Sequence, residues 1–135
     1  MSGFSDYLAQ RGIQHFVQGS AQTVPPGTYL ALFTAEILDD NTCPGGGEPS
    51  GGWYGRKQVP AWAAPAKSST GTWTANSTEV AFNVCTVATT VTHWALYDAL
   101  TGGNLLYSGA LASPKTLNID DVFVVKAGDL VIEFR

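Results

Sequence analysis

The feature that most constrains this chain is a pair of aromatic, apolar runs around a glycine turn. Thr92-His93-Trp94-Ala95-Leu96-Tyr97-Asp98 leads through Ala99-Leu100-Thr101-Gly102-Gly103 into Asn104-Leu105-Leu106-Tyr107-Ser108-Gly109-Ala110-Leu111. Strand-forming runs joined by a segment of Asp, Thr and Gly have the pattern of a β-hairpin. Side chains alternate across a strand, so Trp94 and Leu96 face one way while Ala95 and Tyr97 face the other. Both faces are apolar, which predicts a hairpin in the middle of a sheet covered on both sides, the folding centre of the chain. No acid, base and nucleophile converge in it or elsewhere, so the expectation is a protein that is not an enzyme.

The other segments read as further β-structure behind one helix. Residues 2–17 place Phe4, Leu8, Ile13, Phe16 and Val17 near one helical face, with Ser2 or Ser5 as the N-cap and Gly19 as the stop. That helix either plugs an open end of the β core or serves as an arm for a neighbouring subunit. After the rigid turn Val24-Pro25-Pro26-Gly27, residues 28–34 form a buried strand with Tyr29 and Phe33 on one face and Leu30 and Leu32 on the other. Residues 35–52 form a long Gly-rich loop, too polar to help a core. Strands are expected at 53–59, where Pro60 confines the strand to an edge, at 71–75 and 79–84 around an Asn76-Ser77 turn, and at 115–119, 122–125 and 129–135. Val80, Phe82 and Val84 should point inward, as should Leu130, Ile132 and Phe134. With the hairpin this gives eight or nine strands. The predicted fold is all-β, a single domain over 1–135, as a β-sandwich or jelly roll with a helical arm at 1–19.

Composition narrows the function. Charged residues make up 13% of the chain, about half the usual share of roughly 25%. A neutral exterior suits a subunit packed against its neighbours, although a small secreted binding domain shares it. With 7 Lys and Arg, a net charge of −4 and no basic stripe, no nucleic-acid partner is expected. No stretch is apolar for long enough to cross a bilayer, and Met1-Ser2-Gly3-Phe4-Ser5-Asp6 lacks the pattern of an export signal. A cytoplasmic origin predicts that Cys43 and Cys85 are free thiols.

Candidate chemistry is sparse. His93 beside Trp94 has no nucleophile setting and reads as structural. Asp39, Asp40 and Asn41, and likewise Asp120 and Asp121, lack calcium-loop spacing and read as turn formers; no metal or cofactor is expected. Gly45-Gly46-Gly47 and Gly102-Gly103 are not phosphate loops. Trp53 and Tyr54 directly follow the glycine loop, and with Arg56 they are the expected anchor of a protein interface, joined by Phe4 and Leu8 on the arm. Trp73 and Trp94 read as core.

Several of these segments, in this order, resemble a known family. Tyr29-Leu30-Ala31-Leu32-Phe33-Thr34-Ala35, Glu48-Pro49-Ser50-Gly51-Gly52-Trp53-Tyr54-Gly55-Arg56, Val80-Ala81-Phe82, Thr92-His93-Trp94-Ala95-Leu96-Tyr97-Asp98-Ala99, Gly102-Gly103-Asn104-Leu105-Leu106, Pro114-Lys115-Thr116 and Ala127-Gly128 together resemble the small virion structural proteins of tailed bacteriophages and prophages usually labelled tail fibre proteins. The resemblance implies a non-enzymatic, multi-copy virion subunit assembled in the bacterial host cytoplasm: a tail fibre or tail accessory protein, or a capsid decoration protein, in contact with other virion proteins and copies of itself, as a homo-oligomer or multi-copy assembly. A lectin-like module for host glycans is the alternative. The chain departs from the family pattern at Asp39 to Pro44 and at Asp120-Asp121-Val122, where a Gly-Asp turn is expected.

Overall fold

The computed structural model describes residues 3–134. In chain order its elements are β1 (Gly3–Phe4), α1 (Asp6–Gly12) with a π-helical turn at Ile13–Val17, β2 (Tyr29–Phe33), β3 (Lys57–Gln58), β4 (Ala66–Lys67), β5 (Thr72–Ala75), β6 (Val80–Ala81), β7 (Thr89–Tyr97), β8 (Leu105–Leu117), β9 (Val124–Val125) and β10 (Val131–Phe134). They form three antiparallel sheets: a five-stranded one ordered β1-β8-β7-β2-β3, a three-stranded one ordered β10-β5-β4, and the pair β6-β9. This is the all-β architecture with a short N-terminal helix that the sequence predicts.

The hairpin is β7 and β8, and it sits inside the largest sheet. On β7, Trp94 is opposite Leu32 of β2 and Gly109 of β8, and Leu96 is opposite Leu30 and Tyr107. Alternation then divides the core in two. Leu30, Leu32 and Leu96, with Val91 from beyond a register shift at Val91/His93, join Val80, Phe82, Leu117, Phe123, Leu130 and Ile132 in the larger cluster, which brings the smaller sheets and their loops against one face. Ala31, Phe33, Ala95, Tyr97 and Leu105 form the second cluster on the other face, and Ile37 closes it. Burying one such Leu or Ile side chain contributes about 1.5–3 kcal/mol, so both faces matter to stability.

The hairpin turn needs its glycines. Asp98 accepts the Asn104 backbone N–H at 2.7 Å on Oδ1 and the Asn104 amide at 2.9 Å on Oδ2, which pulls the chain back on itself. Gly103 has φ +73°, and a Cβ there would lie 2.6 Å from Asp98 Oδ1 and 2.7 Å from Ala99 Cβ.

A second close approach lies on the hairpin itself. A Cβ on Gly109 would come within 2.6 Å of Trp94 Cζ2. The indole lies across the bare backbone and stacks on Tyr107, with ring centres 5.7 Å apart. Gly109→Ala should therefore lower stability by about 2 kcal/mol through overpacking. Combining it with Trp94→Leu should recover most of that loss in a double-mutant cycle followed by urea denaturation. Additive losses would show that the ring does not need the glycine.

The strand pairing differs from the sequence reading in several places. Residues 71–75 and 79–84 do not pair across Asn76-Ser77; β5 pairs with β4 and β10, and β6 with β9. The Asn76 side chain donates to the Thr78 carbonyl and directs the chain out of the sheet. Val84 is exposed, although Val80 and Phe82 are buried as expected. Phe134 is half exposed, although Leu130 and Ile132 are buried. Residues 115–117 are not a new strand but the end of β8, which runs through Pro114. That proline is tolerated because β1 covers β8 only at Tyr107 and Ser108, leaving the edge beyond without a partner that needs its N–H. Between Val91↔Lys115 and His93↔Ala110, β8 takes five residue steps to β7's two, a bulge that bends the exposed edge. Only Lys57 and Gln58 of 53–59 pair as a strand, and Ala66–Lys67 adds a strand the sequence did not mark.

The N-terminal segment also differs. Phe4 belongs to β1, opposite Tyr107, and the helix starts after Ser5, whose hydroxyl accepts the Leu8 N–H at 3.1 Å and donates to the Leu105 carbonyl. Ser5 is thus the cap; Ser2, the other candidate, lies outside the described residues, as does Arg135. Neither α1 nor the π-turn contains a buried residue. Gly19 has φ +72°, the left-handed conformation expected at the helix stop.

Candidate functional site

The long loop is built from the core outward. Ile37 is 1% exposed, so the loop does contribute to the core, contrary to the sequence reading. Cys43 packs beside it. The loop's neck is closed by Thr34, whose N–H donates to the Gly47 carbonyl at 2.9 Å and whose hydroxyl accepts the Gly47 N–H at 3.2 Å. Its tip turns at Asp40, which accepts the Thr42 N–H at 3.1 Å and hydroxyl at 2.6 Å, and at Asn41, with φ +68°. The Tyr97 hydroxyl donates to Asn41 Oδ1 at 2.6 Å, fastening the tip to β7.

Arg56 fastens the far end. Its guanidinium donates from Nε to Glu48 Oε1 at 3.0 Å and from Nη2 to Oε2 at 3.1 Å, a two-pronged pair that links the loop to its return strand. Nη1 donates to the carbonyls of Ala99 at 3.0 Å and Gly102 at 2.8 Å, holding the hairpin turn. The guanidinium also lies 3.8 Å from the centre of the Tyr97 ring. Burial works against its charge, but the Glu48 carboxylate more than offsets this, and the pKa sits above the ordinary arginine value. Glu48 also accepts the Tyr54 hydroxyl, which in turn accepts the Leu32 N–H at 3.2 Å. One group of side chains therefore joins the loop, the edge of β2 and the hairpin turn.

Of the residues singled out from sequence, Trp53, Tyr54 and Arg56 come together here, and they face inward. Trp53 is 5% exposed and Arg56 9%, and Tyr54 stacks on Phe82 with ring centres 6.3 Å apart. The reading of an aromatic pair presented outward differs because Glu48, an unpaired charge in the sequence, draws Arg56 and Tyr54 toward the body of the fold. From sequence Glu48 has no assigned role, Asn41 reads only as a turn former and Tyr97 only as a face of the hairpin; the available signal is that Glu48 is the one charge in residues 41–55, eight residues before Arg56. Phe4 and Leu8 are elsewhere, half-buried at the root of the arm. Phe4 contacts Phe134 edge-on at 4.0 Å and Tyr107 at 5.8 Å between ring centres.

The remaining candidate residues make local contacts. His93 Nδ1 is 2.7 Å from the neighbouring Thr92 hydroxyl, and burial lowers its pKa. Asp121 accepts the Asn118 N–H at 2.8 Å, a turn former like Asp40. Asp120 has φ +78°, a conformation that glycine takes more readily, at the place where the family pattern leads one to expect Gly-Asp. Among the described residues no group of three or more His, Cys, Asp or Glu is placed to hold a metal ion, and no helix is long and apolar enough to cross a membrane. Cys43 and Cys85 are both free.

The two tyrosines of the site predict an alkaline limit to stability. Burial pushes the Tyr97 hydroxyl up to about 12, and burial together with the Glu48 carboxylate raises that of Tyr54 further. The unfolded chain then releases protons from about pH 10, its ordinary tyrosine value, while the folded chain keeps them. Stability from these groups is complete below pH 10 and is lost as the pH rises toward 12. The urea midpoint should fall across that window, and less steeply in Tyr54→Phe/Tyr97→Phe. A midpoint that stays level to pH 12 would reject the assignment.

A search among curated proteins found no match. The profile of one family, described as podophage GP4 fiber I protein gp80, matches residues 3–133, nearly the whole chain and every element described above. The protein therefore belongs to the podophage GP4 fiber I protein gp80 family.

Proposed function

We propose that the protein is a non-enzymatic structural subunit of a tailed-phage virion, one domain acting through contacts with other virion proteins and with its own copies. The observation that carries this reading is the family match over residues 3–133. Among the virion roles open from sequence, a fibre component fits that family's description better than a tail accessory or a capsid decoration subunit. The geometry agrees with a contact role: a fastened loop and a helical arm that buries no residue. In this reading Trp53, Tyr54 and Arg56 act from inside, setting the shape of the loop at 35–52 that meets the neighbour, and Phe4 and Leu8 seat the arm.

The test is quantitative mass spectrometry of purified particles, with the major capsid protein as reference. A structural subunit should be present at a fixed, particle-wide copy number and remain after stringent washing. Absence from particles would reject the reading. A low copy number with saturable binding on a host-glycan array would instead establish the lectin-like role.

A further inference from the structure

The segment from Gly12 to Pro26 contains no Asp, Glu, Lys or Arg, yet it projects four large apolar side chains. Ile13, Phe16, Val17 and Val24 are 54%, 85%, 78% and 83% exposed. Together they offer on the order of 500 Å² of apolar surface, near the upper end of what a monomer leaves open, about 300–600 Å². That is more than half of the roughly 800 Å² that each partner contributes to a specific interface. Beside the helix runs an open groove of about 680 Å³, lined mostly by the arm, with Leu8, Arg11, Val24 and Phe16 on its walls, and closed on the hairpin side by Asp98 and Leu106.

We propose that this arm docks against the arm of a second copy of the same chain. Three observations select a second copy over an unrelated partner. The projecting side chains and the receiving groove lie on one element, so a two-fold pairing satisfies both at once, as a self-complementary contact must. Residues 12–26 carry no Asp, Glu, Lys or Arg, and the two charges at the groove, Arg11 and Asp98, are of opposite sign, so the surface has no excess of one charge to repel its own copy; a strongly charged patch would need an opposite partner. The exposed apolar area is of the size that a pair needs, and the chain's own core leaves it uncovered. Phe16, the largest and most exposed of the four, enters the partner's groove, and Val17 and Ile13 close around it.

This deepens the structural-subunit reading and is tested in solution, so its failure is distinguishable from failure of that reading in particles. The full chain is followed by light scattering and sedimentation from about 1 to 200 μM, alongside Phe16→Ser/Val17→Ser. Both substituted positions are exposed, so the variant should melt with the unaltered chain, which a thermal scan checks. The unaltered chain should form dimers, and the variant should need at least tenfold higher concentration for the same dimer fraction. A second variant, Ile119→Ser, removes an exposed apolar residue beyond the far end of β8 from the arm and should leave dimerisation unchanged. A chain that stays monomeric at 200 μM overturns the proposal and leaves the arm to a different virion protein. So does a Phe16→Ser/Val17→Ser variant that dimerises as well as the unaltered chain.

Discussion

Arg56→Ala should lower the stability of the fold by about 3 kcal/mol, the low end of what removing one partner of a buried ion pair causes. The low end applies because the Glu48 side chain keeps 28% of its surface in water, so its carboxylate is not wholly stranded when the guanidinium goes. The rest of the loss comes from the carbonyls of Ala99 and Gly102, which lose their donor, and from Tyr97, which loses the cation over its ring. For a domain of this size the melting temperature should fall by roughly 10 °C. Arg56→Lys keeps the charge but cannot make two parallel bonds to Glu48 and still reach the hairpin turn, so it should recover less than half of the loss. Chemical denaturation of both variants at pH 7 measures this. A loss below about 1 kcal/mol in Arg56→Ala would show that the loop and turn hold each other without the clamp.

Strong local periodicity was legible in the sequence; partnerships between distant short segments were not. In β2 and in the Trp94–Tyr97 half of β7 both faces are apolar, which is enough to assign them, and there the two core clusters follow the alternation; Val91, beyond the register shift at Val91/His93, does not. Ile37 escaped because one adjacent apolar pair, Ile37-Leu38, in a polar, Gly-rich loop carries no period and does not say which of the two is buried. β4, β6 and β9 have two residues each, too few for any period, and their pairing is decided by Asn76 and by the strands that happen to lie alongside. The candidate site divides in the same way. Aromatics after a glycine loop mark a place where something is anchored, but not which way they face. The direction depends on Glu48 meeting Arg56 across eight residues and on Arg56 meeting a turn more than forty residues away, a long-range convergence that a linear reading does not contain. In the arm, the apolar stripe of residues 13, 16 and 17 was visible, but an amphipathic helix looks the same whether its partner is its own core or another chain.

Asn76→Ala should destabilise the fold about as much as the loss of Arg56, by about 3 kcal/mol, although its sequence context reads only as a turn. Asn76 is 1% exposed. Its amide donates to the carbonyls of Thr78 at 2.8 Å and Lys126 at 3.0 Å, and its carbonyl oxygen accepts the Leu130 N–H at 2.9 Å. Two acceptors on one side and a donor on the other fix the orientation of the amide. Its backbone adds to the same junction, since its carbonyl accepts the Gly128 N–H at 2.7 Å. One side chain thus holds together the exit from β5, the approach to β6 and the turn between β9 and β10, where the three-stranded and two-stranded sheets meet. Truncation to Ala leaves three backbone groups without this partner, at about 1 kcal/mol or more each. Asn76→Asp has nearly the same shape but turns a carboxylate oxygen toward two carbonyls, so at pH 7 it should be at least as damaging as Asn76→Ala. Cavity formation alone predicts the reverse order, because Asp fills the space that Ala vacates. Urea denaturation of the two variants separates these accounts: a milder Asp variant would mean that packing, not the hydrogen bonds, makes this residue matter.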